Sequence, residues 1–262
     1  MQKRLSFLAA GLALLVLLSC LLGACSKQSV TLTYRDGAFR SANGKLAFRE
    51  APAIYYALSA LTDDDIAVIR RDGMSDIPLY EIEHCSTARY LADASLFLYY
   101  AEGETLPTLA ELGASRIALY QYSDNRVMRQ LVSTLEDADR VSDLVGLAVD
   151  GVKIPAQKVT GELYHRMELL FLSNSYAGFG MMLEYRKLVE ELAVYAPLNT
   201  DGSAPDLYPG VTPTVETVAG EQVAVWRLGT NFIYDSVAQT YTPVWDVLEN
   251  YFIGDSETET AE

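Results

Sequence analysis

The sequence predicts an α+β protein in which an antiparallel, β-rich lobe over residues 30–113 is followed by a mixed α/β sandwich over residues 114–253. Two observations predict this class. Before residue 113, short runs of Tyr, Ile, Val and Phe alternate with Asp, Gly and Pro, which is typical of strands joined by turns. After residue 113, a stretch with helical apolar spacing lies between longer apolar runs. One continuous domain is the alternative to two lobes.

The first predicted element is a β-meander over residues 30–50. Residues 31–34 alternate in polarity as a strand does, and Asn43 with Gly44 separates residues 38–40 from residues 45–48. Asn-Gly favours a tight type I′ hairpin turn because both residues tolerate a positive φ. Further strands are predicted at residues 53–58, 66–70, 79–83 and 95–101.

Helices are predicted at fewer places. Residues 105–112 suit a short helix, and the strongest helical pattern begins at Ser133 or Thr134 and continues to a glycine at position 151. Ser133 and Glu136 have the spacing of a capping box, in which each residue bonds the other's backbone N–H. The three aspartates at 63–65 are an alternative helix cap within a region that otherwise suits a strand.

The second half also contains strand patterns. The apolar runs at residues 163–172 and 180–188 predict an antiparallel pair, although the second run also suits a helix that continues through Leu192. The remaining predictions are strands at residues 116–122 and 222–228, a loop at 199–213, a terminal helix or strand at 244–252, and a disordered acidic tail at 254–262.

The N-terminus has the layout of an export signal. Lys3 and Arg4 precede an apolar stretch over residues 5–22, and small residues follow it. Leu22, Gly23, Ala24 and Cys25 resemble the lipobox of bacterial lipoproteins: an aliphatic residue, two small residues and the cysteine that is acylated. An uncleaved membrane anchor is the alternative, since the apolar stretch approaches the length that spans a bilayer.

The lipobox resemblance implies a location. Residues 1–24 would be a signal peptide that is removed, and Cys25 would carry the lipid through its sulfur. Residues 25–29 would then tether the protein to the extracytoplasmic face of the cell membrane. Two or more acyl chains give stable anchoring, whereas one gives only marginal binding. The chain that remains is long enough for one large domain or two small ones.

Charge excludes one class of partner. The net charge is −15, and loss of the signal peptide removes two cations and no acid, so the exported chain is more negative still. Such a chain repels nucleic acid, which is therefore not expected as a partner. The acidic residues are spread along the sequence rather than gathered in one segment. Their number favours solubility and does not by itself indicate a ligand.

The sequence shows no catalytic, cofactor-binding or metal-binding constellation. His84 is adjacent to Cys85, and neighbouring residues on a strand point to opposite faces, so the two make a poor nucleophile and base. His84, Cys85 and His165 are too few to bind zinc by themselves, and no carboxylates stand at a spacing that would complete such a site. Once Cys25 carries lipid and Cys20 has left with the signal, Cys85 has no disulfide partner, and a buried thiol is expected.

Tyrosine is the remaining signal, because the chain has 17 of them. Neighbouring tyrosines on a strand face both of its sides, and an exposed ring can stack on a sugar or anchor a protein interface. We therefore expect a non-enzymatic binding or accessory module of the cell envelope, with a protein or a glycan as partner. Two alternatives stay open: a solute-binding lipoprotein of a transporter, and an envelope hydrolase that uses carboxylates. The tyrosines concerned are Tyr55, Tyr56, Tyr99, Tyr100, Tyr120 and Tyr122.

Overall fold

The computed structural model of this protein describes residues 29–58, 61–71, 73–122 and 129–244, together with Leu248 and Phe252. The predicted signal peptide, Cys25 and the predicted acidic tail lie outside these residues. Most of the predicted terminal element at 244–252 also lies outside them. The architecture below therefore concerns the chain from residue 29 onwards.

Strands dominate the described residues. The first eight strands are β1 (Val30–Arg35), β2 (Ala38–Ser41), β3 (Ala47–Glu50), β4 (Tyr55–Ala57), β5 (Leu61–Arg70), β6 (Ile77–Ile82), β7 (Tyr90–Ala92) and β8 (Leu98–Ala101). Next come helix α1 (Leu109–Leu112), strands β9 (Arg116–Tyr122) and β10 (Arg129–Leu135), helix α2 (Ala138–Asp150), strand β11 (Ile154–Pro155), a 3₁₀ turn (Ala156–Lys158), and strands β12 (Leu163–Leu172) and β13 (Phe179–Leu188). The last strands are β14 (Ala193–Pro197), β15 (Thr214–Val218), β16 (Glu221–Arg227), β17 (Asn231–Asp235) and β18 (Thr240–Pro243).

Seven of the first eight strands close into a barrel in the order β1-β2-β3-β8-β7-β6-β5. Neighbouring strands are antiparallel except at the closure, where β1 and β5 pair in parallel, with Thr33 opposite Arg70. The predicted hairpin at Asn43 and Gly44 is confirmed, since Phe39 pairs with Phe48 across it. Its predicted turn type is wrong, because Gly44 alone of the pair has a positive φ.

The other strands form two sheets. An eight-stranded sheet has the order β10-β9-β12-β13-β17-β18-β11, and β4 joins it by pairing with β13, while β14, β16 and β15 form a separate three-stranded sheet. Because β4 lies in sequence between two barrel strands, it ties the barrel to the large sheet. Tyr55, Ile82, Ile117 and Phe179 share one hydrophobic core cluster, so side chains from both parts of the chain pack together.

Helix α2 covers one face of the large sheet. Its buried residues Val141 and Leu144 pack in the same cluster as Leu119 of β9 and Leu169 of β12. A second cluster, which contains the buried Trp226, joins the three-stranded sheet to the other face of the large sheet. Neither described helix has the length and apolar character needed to cross a membrane.

The predicted fold class is wrong. Within the described residues only two helices occur, and the second half is sheet rather than a mixed α/β sandwich. Strand β17 was not predicted, because Phe232, Ile233 and Tyr234 are all buried and the segment lacks the alternation of a half-exposed strand. The two apolar runs at 163–172 and 180–188 are confirmed as an antiparallel pair, and β13 does not continue as a helix.

The predicted helix start at Ser133 or Thr134 is also wrong, and so is the alternative of a helix cap at the aspartates 63–65. Ser133 and Thr134 lie in β10, paired with β9, and Asp137 caps α2 by accepting a hydrogen bond from the backbone N–H of Arg140 at 3.0 Å. The three aspartates at 63–65 lie in β5 and not at the start of a helix. In both places the strand obtains backbone hydrogen bonds from a neighbour, which outweighs local capping preferences.

Candidate functional site

Side chains fill the interior of the barrel. The rings of Phe39 and Tyr99, both at most 2% exposed, meet edge to face with centroids 6.0 Å apart. A small barrel filled in this way leaves no room for a ligand within it, so a ligand of the barrel would bind at its ends or on its outer surface. The buried cluster consists of Leu32, Phe39, Phe48, Ala67, Ile69, Leu79, Leu91 and Tyr99.

One end of the barrel gathers polar side chains on inward-facing positions. Strands β1, β3 and β5 run in the same direction, because β2 is antiparallel to both β1 and β3, and β5 is parallel to β1. Their C-terminal ends therefore meet at one end, which we call the barrel mouth. Tyr34 lies near the end of β1, Glu50 ends β3, and Arg71 directly follows β5.

An ion pair spans the barrel mouth. Nη2 of Arg71 lies 2.6 Å from Oε2 of Glu50, although β1 and β2 separate their strands in the barrel. The guanidinium carbon of Arg71 lies 4.9 Å from the centroid of the Phe39 ring. The Arg71 guanidinium thus lies over a ring of the hydrophobic core at a distance that suits a cation–π contact, and its side chain stays partly exposed.

A cavity of about 460 Å³ opens at the barrel mouth. The Tyr34 side chain is prominent here, since Tyr34 is 58% exposed, and its ring centroid lies 5.2 Å from that of Phe39. The contact with Phe39 supports the Tyr34 ring from one side and leaves much of the ring exposed to solvent. The cavity is lined by Thr33, Tyr34, Glu50, Arg70 and Arg71.

The charges at the barrel mouth act on the tyrosine below them. Burial raises the pKa of Tyr99 to about 12, with further upward contributions from Glu50 and Asp93 and a downward one from Arg71. Burial also raises the pKa of Asp93, although its carboxylate accepts hydrogen bonds from the backbone N–H groups of Ser95 and Phe97. The phenol of Tyr99 therefore stays protonated in the physiological pH range.

Arg70 has a separate partner. Its Nε and Nη2 donate hydrogen bonds to the two carboxylate oxygens of Asp76, at 3.2 and 2.9 Å. These hydrogen bonds lower the pKa of Asp76. Since this two-point contact occupies Arg70, Arg71 and Glu50 are the charged pair directed across the cavity.

A second group of charged residues lies on the face of the large sheet opposite helix α2. Nε of Arg129 lies 2.6 Å from Oε2 of Glu168, whose side chain is only 4% exposed. The two atoms form a close ion pair without the alignment of a hydrogen bond. The same guanidinium stacks 4.7 Å from the Tyr120 ring centroid and donates a hydrogen bond to Sδ of Met182.

The next carboxylate on this face is also paired. Glu184, directly opposite Glu168 on the neighbouring strand, accepts a hydrogen bond from Nε of Arg186 at 2.7 Å. The guanidinium of Arg186 lies 3.5 Å from the Tyr234 ring centroid and donates a hydrogen bond to the hydroxyl of Tyr241. We call Arg129, Glu168, Glu184 and Arg186, with the tyrosines they contact, the sheet-face network.

The sheet-face network brings two carboxylates together, as the hydrolase alternative requires. A glycosidase uses one carboxyl group as an acid and the other as a nucleophile or base, with the substrate between them. Here Glu168 and Glu184 are each engaged by an arginine, and Glu168 is buried. The network therefore has the features of an internal stabilising contact rather than those of an open catalytic pair.

The histidines and the free cysteine do not form a site with one another. His84 lies in a turn with φ of 65° and a largely exposed side chain, while His165 lies on β12. Cys85 is half-buried rather than buried, and burial raises the pKa of its thiol. Gly178 packs closely against it, because a Cβ there would lie 2.0 Å from the Cys85 sulfur and the thiol would have to move. The described residues contain no group of three metal-ligating side chains.

The tyrosine pairs face two sides of their strands, as expected. Tyr55 is buried and donates a hydrogen bond to the Pro107 carbonyl at 2.6 Å, whereas Tyr56 is half-buried on the opposite side. Tyr99 is buried and Tyr100 half-buried. None of these four rings is exposed enough to act as a platform for a sugar or a protein.

The residues of the barrel mouth were missed from sequence. Neither Tyr34 nor the Arg70–Arg71 pair belongs to a recognisable motif, and each is followed within three residues by an Asp-Gly dipeptide, at 36–37 or 72–73. A polar or aromatic residue on the inward face of a strand just before a turn is a signal for the end of a barrel. That signal becomes specific only when the strand order is known.

Comparisons with known proteins return no match: no protein-family model fits the chain, and no significant similarity to curated proteins or solved structures is found.

Proposed function

We propose that this protein is a lipid-anchored, non-enzymatic binding module of the bacterial cell envelope, and that its ligand binds at the barrel mouth. The lipobox resemblance at Cys25 supports the anchor and the extracytoplasmic location. The observation that carries the binding function is the open cavity of about 460 Å³, which combines an exposed aromatic ring with a surface ion pair. Concave sites with a few convergent polar groups are the usual places for ligands.

The barrel mouth favours binding over catalysis. Arg71 and Glu50 are partly exposed and neutralise each other, and Tyr99 beneath them holds its proton well above neutral pH. None of these groups is a nucleophile with an adjacent base. A rigid barrel that presents such groups at its end is suited to recognition, since loops and strand ends on a stable scaffold commonly carry binding residues.

Site-specific photo-crosslinking in the bacterial host would test this function. A benzophenone amino acid replaces Tyr34 in one variant and Tyr164 in a matched control, since Tyr164 is 70% exposed but lies on β12, outside the barrel. We expect adducts of defined mass at position 34 and not at position 164. Equal adduct formation at both positions, or none at position 34, would contradict a ligand site at the barrel mouth.

A further inference from the structure

We propose that the ligand at the barrel mouth is a neutral saccharide, which stacks a sugar ring on Tyr34 and hydrogen-bonds its hydroxyl groups to Arg71 and Glu50. This inference rests on the proposed function, because it names the class of ligand for the same site. Three properties of the barrel mouth favour this class: its balanced charge, its exposed ring and its mixture of donors and acceptors.

Charge argues against an ionic ligand. An anion that bound Arg71 would meet the carboxylate of Glu50, which lies 2.6 Å from the same guanidinium, in a protein of net charge −15. A cation that bound Glu50 would meet Arg71 in the same way. Because the pair is partly exposed and each charge already has a partner, the barrel mouth offers no net charge that would attract an ion of either sign. A ligand without net charge avoids both repulsions.

Hydrogen-bonding capacity suits hydroxyl groups. A guanidinium carries five N–H donors, and the contact with Glu50 engages Nη2. The Glu50 carboxylate contacts Arg71 through Oε2 and has a second oxygen that can accept. A hydroxyl both donates and accepts, so neighbouring hydroxyls of a sugar can bind the two side chains together while the ion pair stays intact. Hydrogen bonds to charged groups are the stronger kind.

The Tyr34 ring supplies the apolar contact. A pyranose has one face made largely of C–H groups, and such a face packs on an aromatic ring in the manner of other aromatic contacts. Because the Tyr34 ring already packs against Phe39, with centroids 5.2 Å apart, part of its side-chain freedom is restricted before a ligand binds. An exposed ring beside a polar pair is the combination that a ligand with one apolar face and many hydroxyls requires.

The experiment is a glycan array followed by calorimetry on the full-length chain, kept in a detergent that contains no sugar. The probes are neutral oligosaccharides of glucose, galactose, mannose and N-acetylglucosamine, and matched oligomers that carry uronic or sialic acid. The variants are Tyr34→Ala, Tyr34→Phe and Glu50→Gln, with Tyr164→Ala as a control for loss of an exposed ring elsewhere.

We expect saturable binding to at least one neutral oligosaccharide. Tyr34→Ala should weaken that binding about tenfold or more, and Tyr34→Phe should retain it within about twofold, because the ring rather than the hydroxyl makes the contact. Glu50→Gln should weaken it severalfold, and Tyr164→Ala should leave it unchanged.

Other results would overturn the inference. Binding only to the acidic oligomers, or to no saccharide, would reject a neutral sugar as the ligand. If photo-crosslinks still form at position 34, the function stands and only the ligand class is wrong. If neutral sugars bind but Tyr34→Ala and Tyr164→Ala weaken the binding equally, the site is not the barrel mouth, and the proposed function fails with it.

Discussion

At the scale of single residues, burial decides which ion pairs contribute to stability. The Arg129–Glu168 and Arg89–Glu104 pairs have the same N–O distance of 2.6 Å. Glu168 is almost completely buried, whereas the Arg89 and Glu104 side chains are 54% and 29% exposed. Exposed pairs contribute little, but removal of one partner of a buried pair leaves an uncompensated charge.

Replacement of Arg129 by Met should therefore lower the free energy of unfolding by about 3–5 kcal/mol, measured by urea denaturation. The double variant Arg129→Met, Glu168→Leu should recover most of that loss, since both charges are then absent. Arg89→Met is the matched control and should cause a much smaller loss. Equal losses from Arg129→Met and Arg89→Met would show that burial does not distinguish the contributions of these two ion pairs.

The raised pKa of Tyr99 should make the stability of the protein depend on pH in the alkaline range. The phenol ionises near pH 10.0 in the unfolded chain and near pH 12 in the folded protein. The unfolded chain thus binds fewer protons between these values, and stability falls as the pH rises, by about 1.4 kcal/mol per pH unit from this group. Tyr99→Phe removes that contribution, so its free energy of unfolding should fall less steeply from pH 10 to 12. Parallel curves for the two proteins would contradict the assignment.

At the scale of elements, local patterns predicted strands best where one face is exposed or where an apolar run is long. These patterns correctly predicted strands β9, β12, β13 and β16. Helix α1 was also predicted correctly from its local sequence. Strand β10 was not, because its register shifts between Leu131 and Ser133, which interrupts the alternation that a regular edge strand would show. Ser133 and Glu136 also match the capping box by chance.

The start of α2 provides a test of that correction. Asp137→Ala should lower the free energy of unfolding by about 1 kcal/mol, because the first turn of α2 loses its side-chain hydrogen bond. Thr134→Ala is the control, since Thr134 lies exposed on β10. Urea denaturation of both variants measures the difference. If Thr134→Ala lowers the free energy of unfolding more than Asp137→Ala does, the helix cap lies at Ser133 or Thr134, as the sequence pattern indicates.

At the scale of the whole molecule, the predicted membrane anchor and the proposed binding site depend on different kinds of information. The N-terminal pattern predicts an anchor at Cys25 without information on the fold, whereas the barrel mouth exists only because β1, β3 and β5 end together. Composition could not have identified that site, since Tyr34, Glu50 and Arg71 are up to 37 positions apart in the sequence. The pairing that brings them together is non-local, and no local pattern encodes it.

Cell fractionation tests the anchor. If the signal peptide of the Cys25→Ala variant is still cleaved, the protein should move from the membrane fraction to the soluble fraction or the medium. If cleavage requires the lipid, an uncleaved precursor of higher mass should accumulate. Cys20→Ala is the control, because it changes a cysteine of the same segment that is not the predicted lipidation site. It should behave as the wild type. An unchanged membrane location and an unchanged mass in Cys25→Ala would support an uncleaved anchor over residues 5–22 instead.

Hydrogen–deuterium exchange of the full-length chain, before and after addition of solubilised glycans from the host envelope, tests the central claim most directly. We predict added protection at the C-terminal ends of β1, β3 and β5, with no change at β10, β12 and β13. Protection confined to the sheet-face network, with none at the barrel mouth, would contradict the account and move the ligand site to the large sheet.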